Sequence, residues 1–259
     1  MREWKQFYKT QRDLVKRYKE EDPSLRFDKR GVWASEIGSQ LFCETSLELD
    51  SILGELETEE MRLGTKAHKQ FAESFPSATV KEILQTIYSD KISMIMELGL
   101  IAWNRDEKVF MSGRPDGMIF RKGIPLLVME LKFNKFNRPF PSYHAQTRFY
   151  CSMLHHLGFN TSRLYYTIGM GHKDYSGPKV SQITADRLVR ITANPENPPE
   201  NLKIGKIEFH FFPFNYSEFK KQFHKLIAFW KKEREATPQK NRNKCKGCKR
   251  RSNCGRSLI

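Results

Sequence analysis

Three charged residues around a short hairpin have types and spacing that suit metal chemistry. Residues 113–132 read as two strands joined by a tight turn; Asp116 lies near the start of the first, and Glu130 and Lys132 lie near the end of the second. Successive side chains of a strand point to opposite faces, so Glu130 and Lys132 share one face, and the hairpin can bring Asp116 alongside them. Two carboxylates in one place repel each other, and a divalent cation such as Mg²⁺ or Mn²⁺ would remove that cost, with the lysine holding or activating a water beside it.

The strand that carries Glu130 predicts burial on both faces. Residues 125–129 form a continuous apolar run, which is typical of a central strand. A hairpin with a surface salt bridge is the alternative, because ion pairs on strand faces are common. A central strand that ends in Glu-Leu-Lys favours the metal site over the surface salt bridge. A buried strand that carries charged residues at its end indicates that those charges have a function there.

The cysteines indicate a second metal site. The chain has five, Cys43, Cys151, Cys245, Cys248 and Cys254, and an odd number without a secretory signal argues against a disulfide framework. Cys245-x-x-Cys248 and Cys254 supply three nearby thiolates, and Cys43 is the natural fourth ligand. Four thiolates suit zinc and an iron–sulfur cluster equally, so spacing leaves both open. Cys151 fits a buried thiol better than a ligand.

Composition predicts a polyanionic partner. The chain has 259 residues, 45 Lys and Arg against 30 Asp and Glu, and a formal net charge of +15. Nucleic acid is the first candidate and an anionic membrane surface the second, while a merely basic soluble protein is the alternative. The mean hydropathy is −0.64 and no apolar run approaches the ~20 residues of a membrane helix, so we expect a cytoplasmic protein without a membrane partner.

Periodicity places these residues on helices and strands. The predicted elements are helices over 2–20, 35–49 (with Ser35 as N-cap), 55–75, 142–157 and 216–235, and strands within 79–100, 108–111, 163–168 and 206–214. After Lys132, Phe136 and Phe140 alternate with Lys135 and Arg138, which suits either a strand of nucleic acid or a hydrophobic lid. The basic residues of the C-terminal tail predict a surface that follows phosphates.

GRPD followed by ELK resembles the signature of the PD-(D/E)xK nucleases, specifically their RecB-like branch. The resemblance implies that His68, in a Gly-x-x-x-His pattern upstream, binds the catalytic metal together with Asp116, Glu130 and the carbonyl of Leu131. Lys132 would then position the attacking water or stabilise charge on the phosphate.

Two further motifs extend the resemblance. Gln146-x-x-x-Tyr150 occupies the place of the third RecB-like motif, whose residues set substrate geometry or orient the lysine. Cys43 with the Cys-x₂-Cys-x₅-Cys tail is similar to the iron–sulfur members, which include exonuclease V, CRISPR-associated RecB-like nucleases and AddB-type subunits. In them four cysteines hold a [4Fe-4S] cluster, so the resemblance favours that cofactor over zinc.

The resemblance covers about residues 33–256 and implies an α/β fold. We expect a mixed central sheet flanked by helices, a restriction-endonuclease-like core, with an iron–sulfur subregion built from both ends of the chain. The predicted divisions are a basic N-terminal helix and turn (1–32), a nuclease domain (33–239) and a basic cysteine motif (240–259).

The implied function is metal-dependent hydrolysis of DNA. The expected enzyme is a Mg²⁺- or Mn²⁺-dependent deoxyribonuclease, a single-strand exonuclease active in DNA repair, with single-stranded DNA as its partner. The alternative is a DNA-binding or processing subunit of a larger complex, for example in CRISPR spacer acquisition, with protein partners and a subordinate nuclease activity.

Overall fold

The structure is a computed structural model that describes residues 3–73, 75, 78–134, 136–172, 178–193 and 198–259, with the backbone alone at 60 and 178–180. The helices are α1 (Glu3–Glu20), α2 (Ala34–Phe42), α3 (Glu44–Leu53), α4 (Glu59–Ala72), α5 (Val80–Ile87), α6 (Pro141–His156), α7 (Pro178–Thr192), α8 (Tyr216–Trp230) and α9 (Arg242–Lys246). The strands are β1 (Gly31–Trp33), β2 (Ser93–Met96), β3 (Leu100–Asn104), β4 (Val109–Gly113), β5 (Gly117–Arg121), β6 (Ile124–Phe133), β7 (Tyr165–Gly171), β8 (Asn201–Ile204) and β9 (Ile207–Pro213).

The main sheet is mixed, and β6 lies inside it. In the described part of the chain its strand order is β2-β5-β6-β7-β9-β8, and a smaller sheet has the order β1-β4-β3. β6 runs antiparallel to β5 and parallel to β7. Parallel neighbours need a crossover connection, and α6 lies between β6 and β7 in the chain to supply it.

Side chains alternate along β6 and bury both faces of the sheet. Leu127, Met129 and Leu131 belong to one core cluster, together with residues of α4 and α7. Val128 belongs to a second cluster, together with residues of α6 and α8. The fold is therefore α/β, with a mixed sheet flanked by helices, and the prediction of a central strand buried on both faces is confirmed.

The prediction of strands within 79–100 is wrong for the first part of this segment, because residues 80–87 form α5. Thr79 caps this helix: its Oγ1 accepts from the Glu82 N–H at 3.3 Å, and the Glu82 carboxylate accepts from the Thr79 N–H at 2.8 Å. The apolar residues of this stretch recur at helical spacing, at 80, 83, 84 and 87. The alternation of apolar residues within 79–100 predicts strands, but at 80–87 the capping box and the period of 3.6 select a helix.

The helix expected over 35–49 is two helices separated at Cys43. Cys43 has an extended backbone, with φ −170° and ψ 120°, which ends α2 and begins α3. The N-cap of α2 is Trp33 and not Ser35 as predicted, because the Glu36 carboxylate accepts from the Trp33 N–H at 2.8 Å.

Helix α1 lies against the smaller sheet. The Gln11 side chain donates to the Ile101 carbonyl at 2.9 Å and accepts from its N–H at 3.1 Å, so one amide side chain pairs with a backbone edge of β3. Phe7 is buried against Phe159, with ring centroids 5.3 Å apart. No helix in the described part of the chain has both the length and the apolar character needed to cross a membrane.

Candidate active site

The β5–β6 hairpin places Asp116 beside the end of β6. Its turn residues, Lys122 and Gly123, both have positive φ (52° and 74°), as a tight two-residue turn requires. Gly117 then pairs with Met129, and the Leu131 N–H donates to Asp116 Oδ2 at 2.6 Å. The hairpin predicted from the sequence is thus present, with Asp116 immediately before its first strand.

Glu130 and Lys132 meet the Gln-x-x-x-Tyr face of α6. Lys132 Nζ donates to Glu130 Oε1 at 2.6 Å and to Gln146 Oε1 at 3.0 Å. Gln146 Nε2 donates to Glu130 Oε1 at 2.7 Å and to the Tyr150 hydroxyl at 3.1 Å. The two motifs therefore form one hydrogen-bonded group, because the even-numbered side of β6 faces α6.

Glu130 is a buried carboxylate with one unused oxygen. Only 3% of the residue is exposed, and Oε2 has no hydrogen-bond partner among the described residues. Burial raises the pKa of Glu130 to about 7, with the Asp116 charge acting in the same direction and Lys132 opposing it. An unpaired buried acceptor is costly, so this oxygen is the place where a cation would relieve the cost.

His68 reaches Asp116 from the opposite layer of the fold. It lies on α4, and its Nδ1 is 3.3 Å from Asp116 Oδ1 while its ring packs edge-on against Phe133. Burial alone would lower the pKa of His68, but the Asp116 carboxylate raises it above its ordinary value. Burial would raise the pKa of Asp116, and the charge and hydrogen bond of His68 hold it below its usual range.

Gly113, the last residue of β4, is the glycine on which close packing at the site depends, whereas Gly64, the glycine of the Gly-x-x-x-His pattern, is not. A Cβ at Gly64 would meet only the Phe133 carbonyl, at an ordinary 3.6 Å, so the approach of α4 does not depend on that glycine. A Cβ at Gly113 would lie 2.5 Å from the ring of Tyr150. The last residue of β4 is therefore the position where a side chain would displace Tyr150 from Gln146.

The carboxylates and the imidazole of this site suit a divalent cation, but in the structure they contact other protein groups. Among the described residues no group of three or more His, Cys, Asp or Glu side chains is arranged to hold a metal ion. The four cysteines form no such group either, and at the hairpin Glu130 Oε1 is held by Lys132 while both Asp116 oxygens have partners. Glu130 Oε2 remains available, and two carboxylates with an imidazole match the ligand preferences of Mg²⁺ and Mn²⁺.

Two further residues act on the site, one by contact and one through its charge, and both were absent from the predicted set. Tyr143 carries its ring 5.2 Å from Lys132 Nζ, and its hydroxyl accepts from the Asn134 side chain at 3.2 Å. The spacing of Tyr143 to Gln146 and Tyr150, three and seven residues, places all three on one helical face and would have identified it. Arg114 is exposed, and its charge lowers the pKa of Tyr150 against a larger rise caused by burial.

The four predicted cluster cysteines line one cavity between the two ends of the chain. Cys43 lies at the α2–α3 break, Cys245 lies on α9, and Cys248 and Cys254 flank a 3₁₀ turn. All are free thiols in the structure. Cys151 is separate from them and fully buried on α6, where burial raises the pKa of its thiol.

The basic tail is partly used for internal contacts. Arg250 is 3% exposed, and its Nε donates to Asp50 Oδ1 at 2.6 Å, while a terminal nitrogen donates to the Gly54 carbonyl. Lys249 pairs with the same aspartate at 3.1 Å, and Lys244 donates to the Leu41 carbonyl at 2.9 Å. The prediction that these cations follow phosphates is wrong for Arg250, because its charge is used in docking the tail.

The aromatic loop after β6 is described in part. Phe136 is exposed and packs edge-on against Phe140, and the Arg138 guanidinium lies 5.9 Å from the Phe140 ring. Lys135 lies outside the described residues. The exposed ring is compatible with both interpretations of this loop, a hydrophobic lid and a nucleic-acid contact.

Comparison with known proteins gives no family. No family model matches the chain, and no curated protein matches it. A solved structure described as "Crystal structure of SSO0001" is similar at 12% sequence identity and a TM-score of 0.49, over 95% of this chain and 96% of that one. Similarity at this level supports no conclusion about function.

Proposed function

We propose that the chain is a metal-dependent deoxyribonuclease of the PD-(D/E)xK type, with a restriction-endonuclease-like core, that hydrolyses DNA phosphodiester bonds and acts on single strands with free ends. One observation carries the proposal. Glu130 is buried with one oxygen bonded to Lys132 and the other unpaired, directly beside Asp116. A purely structural salt bridge would not need the second carboxylate or leave an acceptor unused.

The ligands in this proposal are Asp116, Glu130, His68 and the Leu131 carbonyl. They would hold Mg²⁺ or Mn²⁺, which prefer hard oxygen donors. When bound, such a cation neutralises charge on the phosphate and lowers the pKa of a coordinated water.

The protein's own residues supply a fixed positive charge beside these ligands. Burial would lower the pKa of Lys132, but Glu130 raises it above the ordinary lysine value, so the ammonium remains charged. Held by Glu130 and Gln146, it can donate to a phosphate oxygen or to the attacking water without reorganising. Burial raises the pKa of Tyr150, which keeps its hydroxyl protonated as a partner for Gln146.

The cofactor part of the proposal is a [4Fe-4S] cluster held by Cys43, Cys245, Cys248 and Cys254. Their common cavity and their free thiols support it, and zinc is the alternative that the same ligand set allows. Its role in the proposal is structural, since it would join the two ends of the chain.

The test of the nuclease is direct cleavage. Protein purified without oxygen is incubated with end-labelled single- and double-stranded DNA in Mg²⁺, Mn²⁺ or EDTA. We expect metal-dependent cleavage of the single strand, and a loss of about a hundredfold or more in Glu130→Gln and in Asp116→Asn. DNA binding should be retained in both variants.

A buried carboxylate elsewhere provides the control. Glu107 is 8% exposed and pairs with Lys231 at 2.7 Å and His224 at 2.8 Å, outside the site. Glu107→Gln should lower stability while leaving cleavage per folded molecule unchanged. Full cleavage by folded Glu130→Gln would refute the proposal.

A second function is favoured by the internal pairing of the carboxylates. Because the described side chains include no preformed group of three metal ligands, the chain could serve as a DNA-processing subunit whose nuclease site is completed within a larger assembly, as in spacer acquisition. DNA binding without cleavage by the isolated wild type, and cleavage once partner proteins are added, would favour this alternative.

A further inference from the structure

A groove beside α1 opens next to the candidate active site. We call it the α1 groove; its walls are α1, α5, the segment 97–101 and the end of β4. Four of its residues expose large apolar side chains: Tyr8 by 43%, Val15 by 41%, Trp33 by 46% and Val80 by 54%. Single exposed apolar side chains are ordinary, whereas several that share one groove indicate a binding surface.

The charge of the α1 groove is strongly positive. Arg12, Lys16, Lys19 and Arg114 line it, and Glu97 is the single carboxylate among the lining residues that the structure describes. The first three are exposed on α1 at intervals of four and three residues, so they follow one face of the helix. Arg114 makes no hydrogen bond or ion pair with another described residue.

The α1 groove adjoins a second groove that is lined by one residue of the candidate active site. The second groove, lined by His68, shares Ile83, Glu97 and Arg114 with the α1 groove. The Glu97 N–H donates to the Asp116 carbonyl at 3.3 Å, which fixes the shared wall to the catalytic aspartate of the proposed function. A ligand that passes Arg114 from the α1 groove into the second groove therefore meets His68, whose Nδ1 is 3.3 Å from Asp116 Oδ1.

The mixture of rings and cations selects the occupant. An unpaired nucleic acid strand offers base faces and phosphates in alternation, and such strands bind where aromatic rings accompany a positive groove. Here the Arg12 guanidinium lies 5.9 Å from the Tyr8 ring, so a ring and a phosphate-binding group are adjacent. A duplex hides its base faces and could use only the cations.

We propose that the α1 groove binds an unpaired nucleic acid strand and leads it to Asp116 and Glu130. The inference rests on the proposed function for the destination of the strand, and it adds the path and the residues that hold it. It also gives α1, which lies outside the region of family resemblance, a role in substrate binding.

The test measures binding in the absence of cleavage. A dye-labelled oligothymidylate of about 20 nucleotides, longer than the site of a typical single-strand binding module, is titrated in EDTA and followed by fluorescence anisotropy. We expect Arg12→Glu combined with Lys16→Glu to weaken binding by about tenfold or more. The slope of log affinity against log salt should become shallower by about 0.7 for each phosphate that the groove no longer neutralises.

The same helix provides a matched control. Lys5 and Lys9 are exposed on α1, also four residues apart, and lie outside the α1 groove. Lys5→Glu combined with Lys9→Glu changes the net charge equally and should weaken binding by no more than about twofold. Equal weakening in the two double variants would mean that only bulk charge matters, and would overturn the inference.

The aromatic contribution is tested separately. Trp33→Ala should weaken binding of the oligonucleotide about fivefold or more with little change in the salt slope, because stacking is not ionic. Bromouracil in the oligonucleotide should photocrosslink to peptides containing Tyr8 or Trp33. If the charge-reversed variant unfolds, Arg12→Gln with Lys16→Gln replaces it, and thermal melts identify which variants are folded.

The outcomes for the α1 groove and for the nuclease are distinct. Wild type that binds the strand through the groove but never cleaves it would sink the proposed nuclease and keep the groove as a binding site. Wild type that cleaves, with groove variants that bind and cleave equally well, would keep the nuclease and reject the groove. Absence of oligonucleotide binding by wild type would also reject the groove.

Discussion

Glu130 lies among residues from three separate parts of the chain, two of which bond it while the third, Asp116, repels its charge. Lys132 is on its own strand, Gln146 is on α6, and Asp116 precedes β5. One oxygen of this deeply buried carboxylate is doubly hydrogen-bonded, which offsets part of the cost of burial, while burial itself raises the pKa of Glu130 to about 7. The precision of the site therefore depends on the packing of α6 against β4 and β6.

Gly113 tests that packing without touching a charged group. In Gly113→Ala the new Cβ would meet the Tyr150 ring at 2.5 Å, so the ring or β4 must move. We expect unfolding free energy to fall by about 1–3 kcal/mol, as for other overpacked sites, measured by urea denaturation.

Gly99 provides the control for that substitution. A Cβ at Gly99 has no neighbour within 4 Å, so Gly99→Ala should change stability by less than about 0.5 kcal/mol. In a Tyr150→Leu background the cost of Gly113→Ala should shrink, since the clashing ring is gone. An equal cost in both backgrounds would contradict the packing explanation.

At the scale of elements, the C-terminal tail docks on α2 and α3 through buried charges. Glu44, at the start of α3, accepts from Arg234, from the Thr237 N–H at 2.8 Å and from Gln40 at 2.7 Å. Burial would raise the pKa of Glu44, but the hydrogen bonds from Arg234 and its neighbours hold it below the ordinary value. The helix pair that carries Cys43 is thereby fixed to the segment that leads to the other cysteines.

This carboxylate should make stability depend on pH in a defined direction. Its pKa is lower in the folded than in the unfolded state, so its contribution is present above the unfolded value and is lost as pH falls through the folded value. Glu44→Gln should cost about 1–3 kcal/mol at neutral pH, with a difference from wild type that narrows in acid, measured by urea denaturation across pH.

A substitution at an exposed glutamate distinguishes the pH-dependent contribution of Glu44 to stability from the loss of one negative charge in general. Glu20 pairs with Lys16 at 3.8 Å on the surface of α1, and such pairs contribute little. Glu20→Gln should therefore follow wild type at every pH. A Glu44→Gln curve parallel to wild type down to acid pH would show that Glu44 does not titrate as described.

At the scale of the whole molecule, the two ends of the chain meet at the cysteine cavity. Cys43 and Cys245 are separated by about two hundred residues, and a metal joining them would close a long loop, which removes much entropy from the unfolded chain. The basic residues behind the net charge of +15 have two different roles. Some cations of the tail, such as Arg250, bind α3 inside the protein, while those of the α1 groove are exposed to solvent.

Cysteine variants test whether a cluster joins the ends. Cys43→Ser and Cys248→Ser should each lose visible absorption and bound iron, lower the melting midpoint and expose the tail to protease. The physical reason is that a cluster with one ligand removed no longer clips both ends together.

Cys151 supplies the matched control for the cluster. It is fully buried in α6, so Cys151→Ala should lower the melting midpoint while bound iron is retained. Bound zinc without iron in wild type would replace the cluster with a zinc site. Absence of both iron and zinc from anaerobically purified wild type would refute the proposal that the four cysteines hold a metal centre.

The sequence by itself determined the elements whose signals are local. The apolar run before Glu130 and the alternation of its strand fixed the buried hairpin, and helical spacing fixed the shared face of Gln146 and Tyr150. The stretch 80–87 is the exception: its alternation predicts a strand, whereas its helical period and the Thr79 cap produce α5.

Only the tertiary structure decided which charges meet. Neither the unpaired oxygen of Glu130 nor the use of Arg250 inside the protein follows from spacing, since each depends on which surfaces pack. The same holds for the α1 groove, whose rings and cations come from segments far apart in the chain. Local periodicity is fixed by backbone geometry within a few residues, whereas burial and ion pairing are set by contacts between distant elements.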